Sequence, residues 1–215
     1  MIKIEQVEVM NFKNAIRGMR NPMNSWEKSD SYINEQGQFI LGEKDLQLCR
    51  KLCNAGAVHR KFARQIFVAV DITAPLYWWK EFDTYKVGTT ANSTSTMHKI
   101  HSKEIEKEDF SIDKLDEEGT KVFEEFVSYI EKKRKDFVET KNKDSWYSVI
   151  QTLPSSYNQT RTCTMTYENL YNMYEWRYNH KLDEWKVFCK EVEKLPYFTK
   201  MFDIDKFNKE KGVER

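Results

Sequence analysis

The sequence lacks any apolar run near eighteen residues, and its start, Met1-Ile2-Lys3-Ile4, has no signal-peptide pattern. A helix that spans a bilayer needs about twenty mostly apolar residues, so we expect no membrane association. An excess of charge of one sign is also missing, because 35 Lys and Arg side chains face 34 Asp and Glu side chains, for a formal net charge of +1. Such a balance gives no electrostatic reason to expect a nucleic-acid partner. A cytoplasmic protein is the expectation.

Common catalytic signatures are absent as well. The sequence contains no P-loop, no G-x-G-x-x-G and no nucleophile elbow. Cys49 and Cys53 lie four residues apart in a predicted helix, but no further pair follows at the spacing of a zinc finger. We therefore expect all four cysteines to be buried reduced thiols. His98 and His101 have no carboxylate at metal spacing, so a metal site is not expected.

What is present indicates a packed globule. Aromatic residues make up 14% of the 215 residues, which favours an ordered core over disorder. Apolar periodicity and turn signals predict strands at 2–10, 62–71 and 156–164, and helices at 45–54, 115–137, 167–179 and 182–194. This pattern predicts one mixed α and β domain over residues 1–215, with a charged linker at 102–118 and a C-terminal tail at 197–215.

The most informative segment runs from Pro75 to Ile100 and contains Trp78-Trp79, then Gly88, then a tract made mostly of Ser, Thr and Asn. We call residues 89–98 the polar tract. Hydroxyl and amide groups are poor core material, because each buried polar atom needs a partner. The tract therefore suits a loop that holds a polar ligand, although it could also merely cap a helix. Adjacent helical residues point about 100° apart, so at most one of the two tryptophans would face a ligand.

Several cations lie in or beside predicted strands. Such long side chains often reach to water, but an arginine can also grip a phosphate with its planar fork of donors. Both interpretations stay open for His59, Arg60, Lys61, Arg64 and Arg161.

The order of these features resembles the flavin-dependent thymidylate synthases. Asn54-Ala55-Gly56 ends a helix, a basic strand follows, and an aromatic helix from Pro75 leads into Asn92-Ser93-Thr94-Ser95-Thr96-Met97-His98. The family has RHRxxSxNExSxRY after such a helix, and residues 182–186 are similar to a later signature close to AQxEIR. The likeness covers about residues 1–195. It implies an α+β fold, with a mixed or antiparallel sheet flanked by helices.

The resemblance also implies roles for individual residues. Ser95 falls on the second serine of the family motif and is the implied catalytic residue. The implied cofactor-binding residues are Lys86, Thr90, Asn92 and Thr166. The implied nucleotide-binding residues are Arg64, Ser93, Ser95, Arg161, Arg177 and Lys186.

Several family positions carry other residues here. The RHR segment is Thr84-Tyr85-Lys86, of which only Lys86 is charged. Met97 stands where the family has an arginine, and Glu168 stands at the arginine of an N-x-R pair that contacts flavin in the family. Lysine and methionine cannot reproduce the bidentate contact of arginine with a phosphate.

Three functions therefore stay open. In the family, FAD, NADPH and methylenetetrahydrofolate serve the reductive methylation of dUMP to dTMP, in a homotetramer with sites built across subunits. The alternative is a catalytically inactive homologue that binds or sequesters a nucleotide, such as a phage-type protein that captures a host signalling nucleotide. The third is a structural or interaction module.

Overall fold

The chain folds into a four-stranded sheet, a two-stranded ribbon and a set of mostly short helices, as described for residues 2–212 by a computed structural model. The strands are β1 (Lys3–Met10), β2 (Tyr32–Ile33), β3 (Phe39–Ile40), β4 (Phe67–Pro75), β5 (Thr90–Ser93) and β6 (Asn158–Thr166). The helices are α1 (Phe12–Met19), α2 (Glu43–Asn54), α3 (Leu76–Phe82), α4 (Glu117–Thr140), α5 (Lys143–Thr152), α6 (Tyr167–Arg177), α7 (Asp183–Glu193), α8 (Phe198–Met201) and α9 (Ile204–Lys211).

The four-stranded sheet has the order β1-β4-β6-β5, and the ribbon pairs β2 with β3 in antiparallel register. Strand β4 shows why this segment is extended: Val68, Val70 and Ile72 are buried, while the residues between them are partly exposed. A period of two is what a pleated strand with one buried face requires. The predicted strand at 62–71 was placed too early, because Lys61–Gln65 forms a 3₁₀ turn.

The chain divides into two compact units. Unit 1 takes in Asp71–Thr84 and Ala91–Thr162, together with residues 2 and 3. Unit 2 takes in Ile4–Val70, Tyr85–Thr90 and residues 163–212. The number of domains stays a prediction.

The core of unit 1 lies under the helical pair α4 and α5. Its fully buried members are Ile100, Ile105, Phe110, Ile130 and Val149. Two of these belong to residues 102–118, so the prediction of a solvated linker is wrong there. Ile105 and Phe110 are separated by charged residues, which hid two apolar anchors in a sequence that looked uniformly polar.

Helix α3 contributes a second apolar cluster to unit 1. Trp78, Trp79 and Phe82 are each at most 3% exposed, and their rings contact one another. The indole N–H of Trp79 donates to the carbonyl of Gln159 at 2.9 Å. Both tryptophans are therefore core residues, and neither forms an exposed stacking platform.

Unit 2 is built around α6 and α7, which confirm the helices predicted at 167–179 and 182–194. The C-terminal residues also pack here: Phe198, Met201 and Ile204 are fully buried. The predicted tail at 197–215 is thus helical and packed through residue 211, and its last three residues lie outside the described part of the chain. Phe198 and Met201 are three residues apart on α8, which places both on one face of that helix, whereas Ile204 begins α9 after a break at Asp203.

The four cysteines are buried thiols, as predicted. Burial raises the pKa of Cys53 and of Cys189 to about 12, so both stay protonated near neutral pH. Within residues 2–212, no group of three or more His, Cys, Asp or Glu side chains could hold a metal ion. The helices of the same residues include none that is both long and apolar enough to cross a bilayer.

Candidate functional site

A pocket of about 360 Å³ opens in unit 1 where the polar tract meets strands β4 and β6. We call it the hydroxyl pocket, because six of its side chains carry a hydroxyl group. Its volume falls in the range of about 300–1,000 Å³ that is usual for small-molecule sites. The lining residues are Thr73, Thr94, Ser95, Lys99, Ile100, Ser102, Lys103, Ile105, Glu108, Asp109, Tyr157, Asn158 and Thr160.

Strands β4 and β6 supply one wall of the pocket. The hydroxyls of Thr73 and Thr160 share a hydrogen bond of 2.7 Å between neighbouring strands. Beside Thr160, the threonine Thr162 donates to Asp71 at 2.6 Å. Alternate residues of β6 from 158 to 166 are Asn or Thr, so one face of this strand is polar throughout. We did not predict Thr73, Thr160 or Asn158 as site residues, although this alternation was a usable signal.

The polar tract forms the next wall and is held by backbone bonds. The amide of Thr94 donates to the carbonyl of Thr160 at 2.9 Å, and the Gln159 side chain donates to the carbonyl of Thr94 at 2.7 Å. Ser95 Oγ then accepts the backbone N–H groups of Met97 at 3.2 Å and of His98 at 2.9 Å. Ser95 therefore stabilises a turn of its own loop while it lines the pocket.

Charges in the hydroxyl pocket are balanced. Two ammonium groups, those of Lys99 and Lys103, and two carboxylates, those of Glu108 and Asp109, line it. A hydrogen bond from Lys103 to Asp109 raises the pKa of that lysine, so it stays charged. Burial raises the pKa of Tyr157, and the nearby carboxylate of Asp109 adds to the effect. The pocket thus offers many hydrogen-bond groups but little net charge.

The irregular segment that closes the pocket is tied down by a buried carboxylate. Glu131, with 11% of its side chain exposed, accepts the backbone N–H of Ile105 at 3.0 Å. Arg134 donates to both oxygens of this carboxylate, at 2.7 and 2.6 Å. Burial alone would raise the pKa of Glu131, but these hydrogen bonds outweigh it and hold the pKa below its ordinary value.

Arg161 is also in unit 1 but does not line the hydroxyl pocket. Its guanidinium donates to Asp83 at 2.7 Å and to the side chain of Gln159 at 3.0 Å. It lies over the ring of Trp79, 4.1 Å from the ring centre. Only 15% of its side chain is exposed. A carboxylate of the chain already neutralises this predicted phosphate ligand.

Arg64 is neutralised in the same way within unit 2. Its guanidinium pairs with Glu168, which also accepts from Arg60 at 3.0 Å. The hydrogen bond to Glu168 raises the pKa of Arg64. Arg60 in turn donates to Asn172 at 3.0 Å and lies over the ring of Tyr171. Glu168 stands where the resemblance places an arginine. This position therefore carries the opposite charge, and its carboxylate forms ion pairs with both Arg60 and Arg64.

Arg177 anchors the short segment Tyr85–Thr90 to the rest of unit 2. It donates to the hydroxyl of Tyr85 at 2.9 Å, and its guanidinium lies 5.5 Å from the ring centre of Tyr85 and 4.9 Å from that of Trp185. Asn169 donates to the carbonyl of Val87 at 2.8 Å. Gly88 is needed here, because its φ is +76° and a Cβ would lie 2.9 Å from the Asn169 side chain.

The remaining predicted cofactor residues are exposed or engaged. Lys86, Thr90 and Asn92 are exposed, and so is the predicted nucleotide-binding residue Ser93. Thr166 caps α6, since its hydroxyl accepts the backbone N–H of Asn169 at 3.2 Å.

The predicted site residues therefore fall into different surroundings. Lys186 pairs with Asp183 at 2.9 Å on α7. Asn92, Ser93, Ser95 and Arg161 belong to unit 1, and the others belong to unit 2. Ser95 is the predicted site residue that lines the hydroxyl pocket. The roles assigned to all of these residues stay predictions.

Comparison with known proteins shows which solved structures share this fold. No model of a protein family matches the sequence, and a search of curated proteins finds no match. Among solved structures, the chain is similar to thymidylate synthase X (ThyX) from Helicobacter pylori with FAD and dUMP, at 18% identity and a TM-score of 0.69, covering 94% of this chain and 97% of that one. A second structure, the flavin-dependent thymidylate synthase ThyX from Helicobacter pylori complexed with FAD and dUMP, gives 19% identity and a TM-score of 0.66, covering 92% and 97%. The predicted α+β fold of the flavin-dependent thymidylate synthases is confirmed.

Proposed function

We propose that this chain is a divergent ThyX-like protein that binds a pyrimidine nucleotide in the hydroxyl pocket. The observation that carries the proposal is the pocket itself: six hydroxyl groups and two ammonium groups surround about 360 Å³ in a fold whose solved examples hold FAD and dUMP. Hydroxyl and amide groups can both donate and accept hydrogen bonds, which suits a sugar and a pyrimidine edge. The ammonium groups of Lys99 and Lys103 suit a phosphate.

The balanced charge of the pocket favours a ligand with a single phosphate. Glu108 and Asp109 repel additional anionic groups, so a monophosphate fits the local charges better than a triphosphate. We expect selectivity to come from hydrogen bonds. A ligand that leaves a polar group of the pocket without a partner should bind much more weakly than one that pairs it.

Isothermal titration of the full chain with dUMP, dCMP, dTMP and AMP tests this proposal. We expect binding of a pyrimidine monophosphate, and a loss of about tenfold in affinity for Thr160→Val, because one half-buried hydrogen-bond group of the pocket is removed at nearly constant shape. Thr162→Val is the matched control: it removes a hydroxyl from the same strand face outside the pocket and should leave the affinity unchanged. Absence of binding by all four nucleotides, or equal affinity of the Thr160→Val variant, would contradict the proposal.

FAD fits these residues less well than a nucleotide does. A flavin dinucleotide carries two phosphates. The four residues predicted to bind it include one cation, Lys86; the others are Thr90, Asn92 and Thr166, and the Thr166 hydroxyl already caps a helix. The cations that could compensate, Arg64 and Arg161, are each paired with a carboxylate. These observations favour nucleotide binding or sequestration without catalysis, as in a phage-type protein that captures a host nucleotide.

The second candidate function is the FAD-dependent methylation of dUMP to dTMP, which the fold and the position of Ser95 support. An absorbance scan of the purified protein tests it, since a bound oxidised flavin absorbs at about 375 and 450 nm. Flavin bands together with release of tritium from C5-labelled dUMP, dependent on NADPH and methylenetetrahydrofolate, would establish the enzyme. A colourless protein that binds dUMP and releases no tritium would establish the binding protein. Either site would be completed by neighbouring subunits if the chain forms a homotetramer, which light scattering would measure.

A further inference from the structure

A second and larger groove lies entirely within unit 2, and of the predicted site residues only Lys186 lines it. It encloses about 980 Å³ and is lined by residues of α6, α7, α8 and α9 and of the turns that follow α6, α7 and α9. We call it the lysine groove. Its lining residues are Tyr174, Tyr178, Asn179, Lys186, Cys189, Lys190, Glu193, Lys194, Thr199, Asp205, Asn208, Lys211 and Gly212.

Helix α7 brings three lysines to the groove on a single face. Lys186, Lys190 and Lys194 are four residues apart, which stacks them along one side of a helix. Like charges at this spacing repel one another. The outer two are compensated, because Lys186 pairs with Asp183 at 2.9 Å and Lys194 pairs with Glu191 at 2.6 Å. The central Lys190 pairs with no carboxylate of residues 2–212.

Helix α9 places a fourth lysine in the groove. Lys211 lies near the end of α9, and its ammonium is 6.0 Å from the ring centre of Phe207. It too makes no ion pair with a carboxylate of the described chain. Asp205 lies in the first turn of α9, about 9 Å along the helix axis from Lys211. The helix thus separates its groove-facing acid from its groove-facing cation.

The other groove carboxylate, Glu193, is engaged by the wall. It accepts a hydrogen bond from the hydroxyl of Tyr174, which also donates to Asn208 at 3.2 Å. Burial raises the pKa of Tyr174, and Glu193 adds to this effect, so the phenol remains a donor. Phe207 packs on Tyr178 at 5.2 Å, which stiffens the aromatic wall. Glu193 is therefore held on the wall side of the groove.

We propose that the lysine groove is a second ligand site, which binds an oligophosphate chain through Lys190 and Lys211. The two cations come from different helices, so a ligand with several phosphates can contact both at once, whereas a single phosphate would contact one. The ligand would neutralise the central lysine of α7 and so relieve repulsion within the helix. The volume of the groove lies at the upper end of the usual range for small ligands.

Titration of the full chain with sodium tripolyphosphate tests this inference. We expect measurable binding at low ionic strength and a loss of about tenfold or more in the double variant Lys190→Ala/Lys211→Ala, since each charge-assisted contact to a phosphate is lost. The matched control is Lys206→Ala/Lys209→Ala, which removes the same number of lysines from exposed positions outside the groove. It should change the affinity by less than about twofold, because Lys206 already pairs with Glu210 at 3.8 Å and exposed charges outside the groove are screened.

Three results would overturn the inference: no binding by the unmodified chain, full binding by Lys190→Ala/Lys211→Ala, or equal weakening in the control variant. The last result would show a diffuse attraction instead of a site. Circular dichroism checks that the variants fold. Titration of the same variants with dUMP separates the two proposals, since the groove variant should keep its nucleotide affinity and Thr160→Val should keep its tripolyphosphate affinity.

Discussion

The hydroxyl pocket of unit 1 and the lysine groove of unit 2 both contain lysines, but the net charge of their linings differs. In the pocket, two lysines are balanced by two carboxylates, and Lys103 is paired with Asp109, so the lining charges cancel. In the groove, four lysines accompany two carboxylates, and Lys190 and Lys211 pair with no carboxylate of residues 2–212. A cation that already has a partner contributes hydrogen bonds and little net attraction, whereas an unpaired cation attracts anions from a distance. Under the two proposals, the pocket would select its ligand through hydrogen bonds, whereas the groove would attract its ligand through charge.

The walls of the two sites differ as well. Most of the groove lining belongs to helices, whose backbone groups bond within each helix. The pocket is closed in part by the irregular segment around Ile105, which depends on Glu131 for a backbone partner. An irregular wall needs such a side-chain acceptor, because a buried backbone N–H without a partner is costly.

The largest expected effect comes from breaking this support. Glu131→Ala removes the acceptor of Ile105 and leaves Arg134 without its buried carboxylate, so we expect a loss of about 3 kcal/mol in the free energy of unfolding near pH 7. Because the folded pKa of Glu131 is lowered, its contribution is present above the unfolded pKa of about 4.3 and is lost as the pH falls through the folded pKa. Urea denaturation across this range measures both effects.

The control for this variant is Glu125→Ala on the exposed side of the same helix, with an expected change within about 0.5 kcal/mol. The tripolyphosphate affinity of the groove should survive Glu131→Ala in the folded protein, while nucleotide binding by the pocket should weaken. A stability difference that does not shrink in acid would contradict the assigned role of Glu131.

A smaller effect is expected from giving the pocket an unpaired lysine like those of the groove. Asp109→Asn keeps the oxygen that accepts the backbone N–H of Glu106 but removes the charge that neutralises Lys103. We expect nucleotide monophosphates to bind about fivefold more tightly, which corresponds to about 1 kcal/mol, and the gain should fade at high salt. Calorimetry measures it, with Asp113→Asn outside the pocket as the control. Unchanged or weaker binding by Asp109→Asn would argue against Lys103 as a phosphate ligand.

The smallest effect is expected at Ser95. Ser95→Ala deletes the acceptor for the amides of Met97 and His98, which lie in an exposed turn where water can replace it. We expect a loss of about 0.5 kcal/mol in stability. A loss of nucleotide affinity much larger than this would show that the Ser95 hydroxyl also contacts the ligand. Ser128→Ala, on the exposed surface of α4, is the comparison variant.

The sequence allowed the fold to be predicted well where the signal was local. Helices α6 and α7 follow from apolar residues at helical spacing, and β1 follows from an alternation of apolar and polar residues that shifts phase once, at Gln6 with its φ of 51°. The order of elements was enough to suggest the fold that the solved structures share. The prediction was wrong for residues 102–118 and 197–211, where a few apolar anchors stand among many charges and only packing reveals them.

The candidate site was predicted less completely, because its decisive contacts join residues far apart in the chain. By itself, the sequence determined a polar segment after an aromatic helix and a set of arginines with unknown partners. The prediction that this whole segment is a loop was wrong, because Thr90–Ser93 forms strand β5 of the sheet. Only the tertiary structure decided that Glu168 neutralises Arg64 across 104 residues and that Thr73 meets Thr160 across 87. A side chain's charge is written in the sequence, but whether that charge remains available depends on which carboxylate the fold brings within a few ångströms.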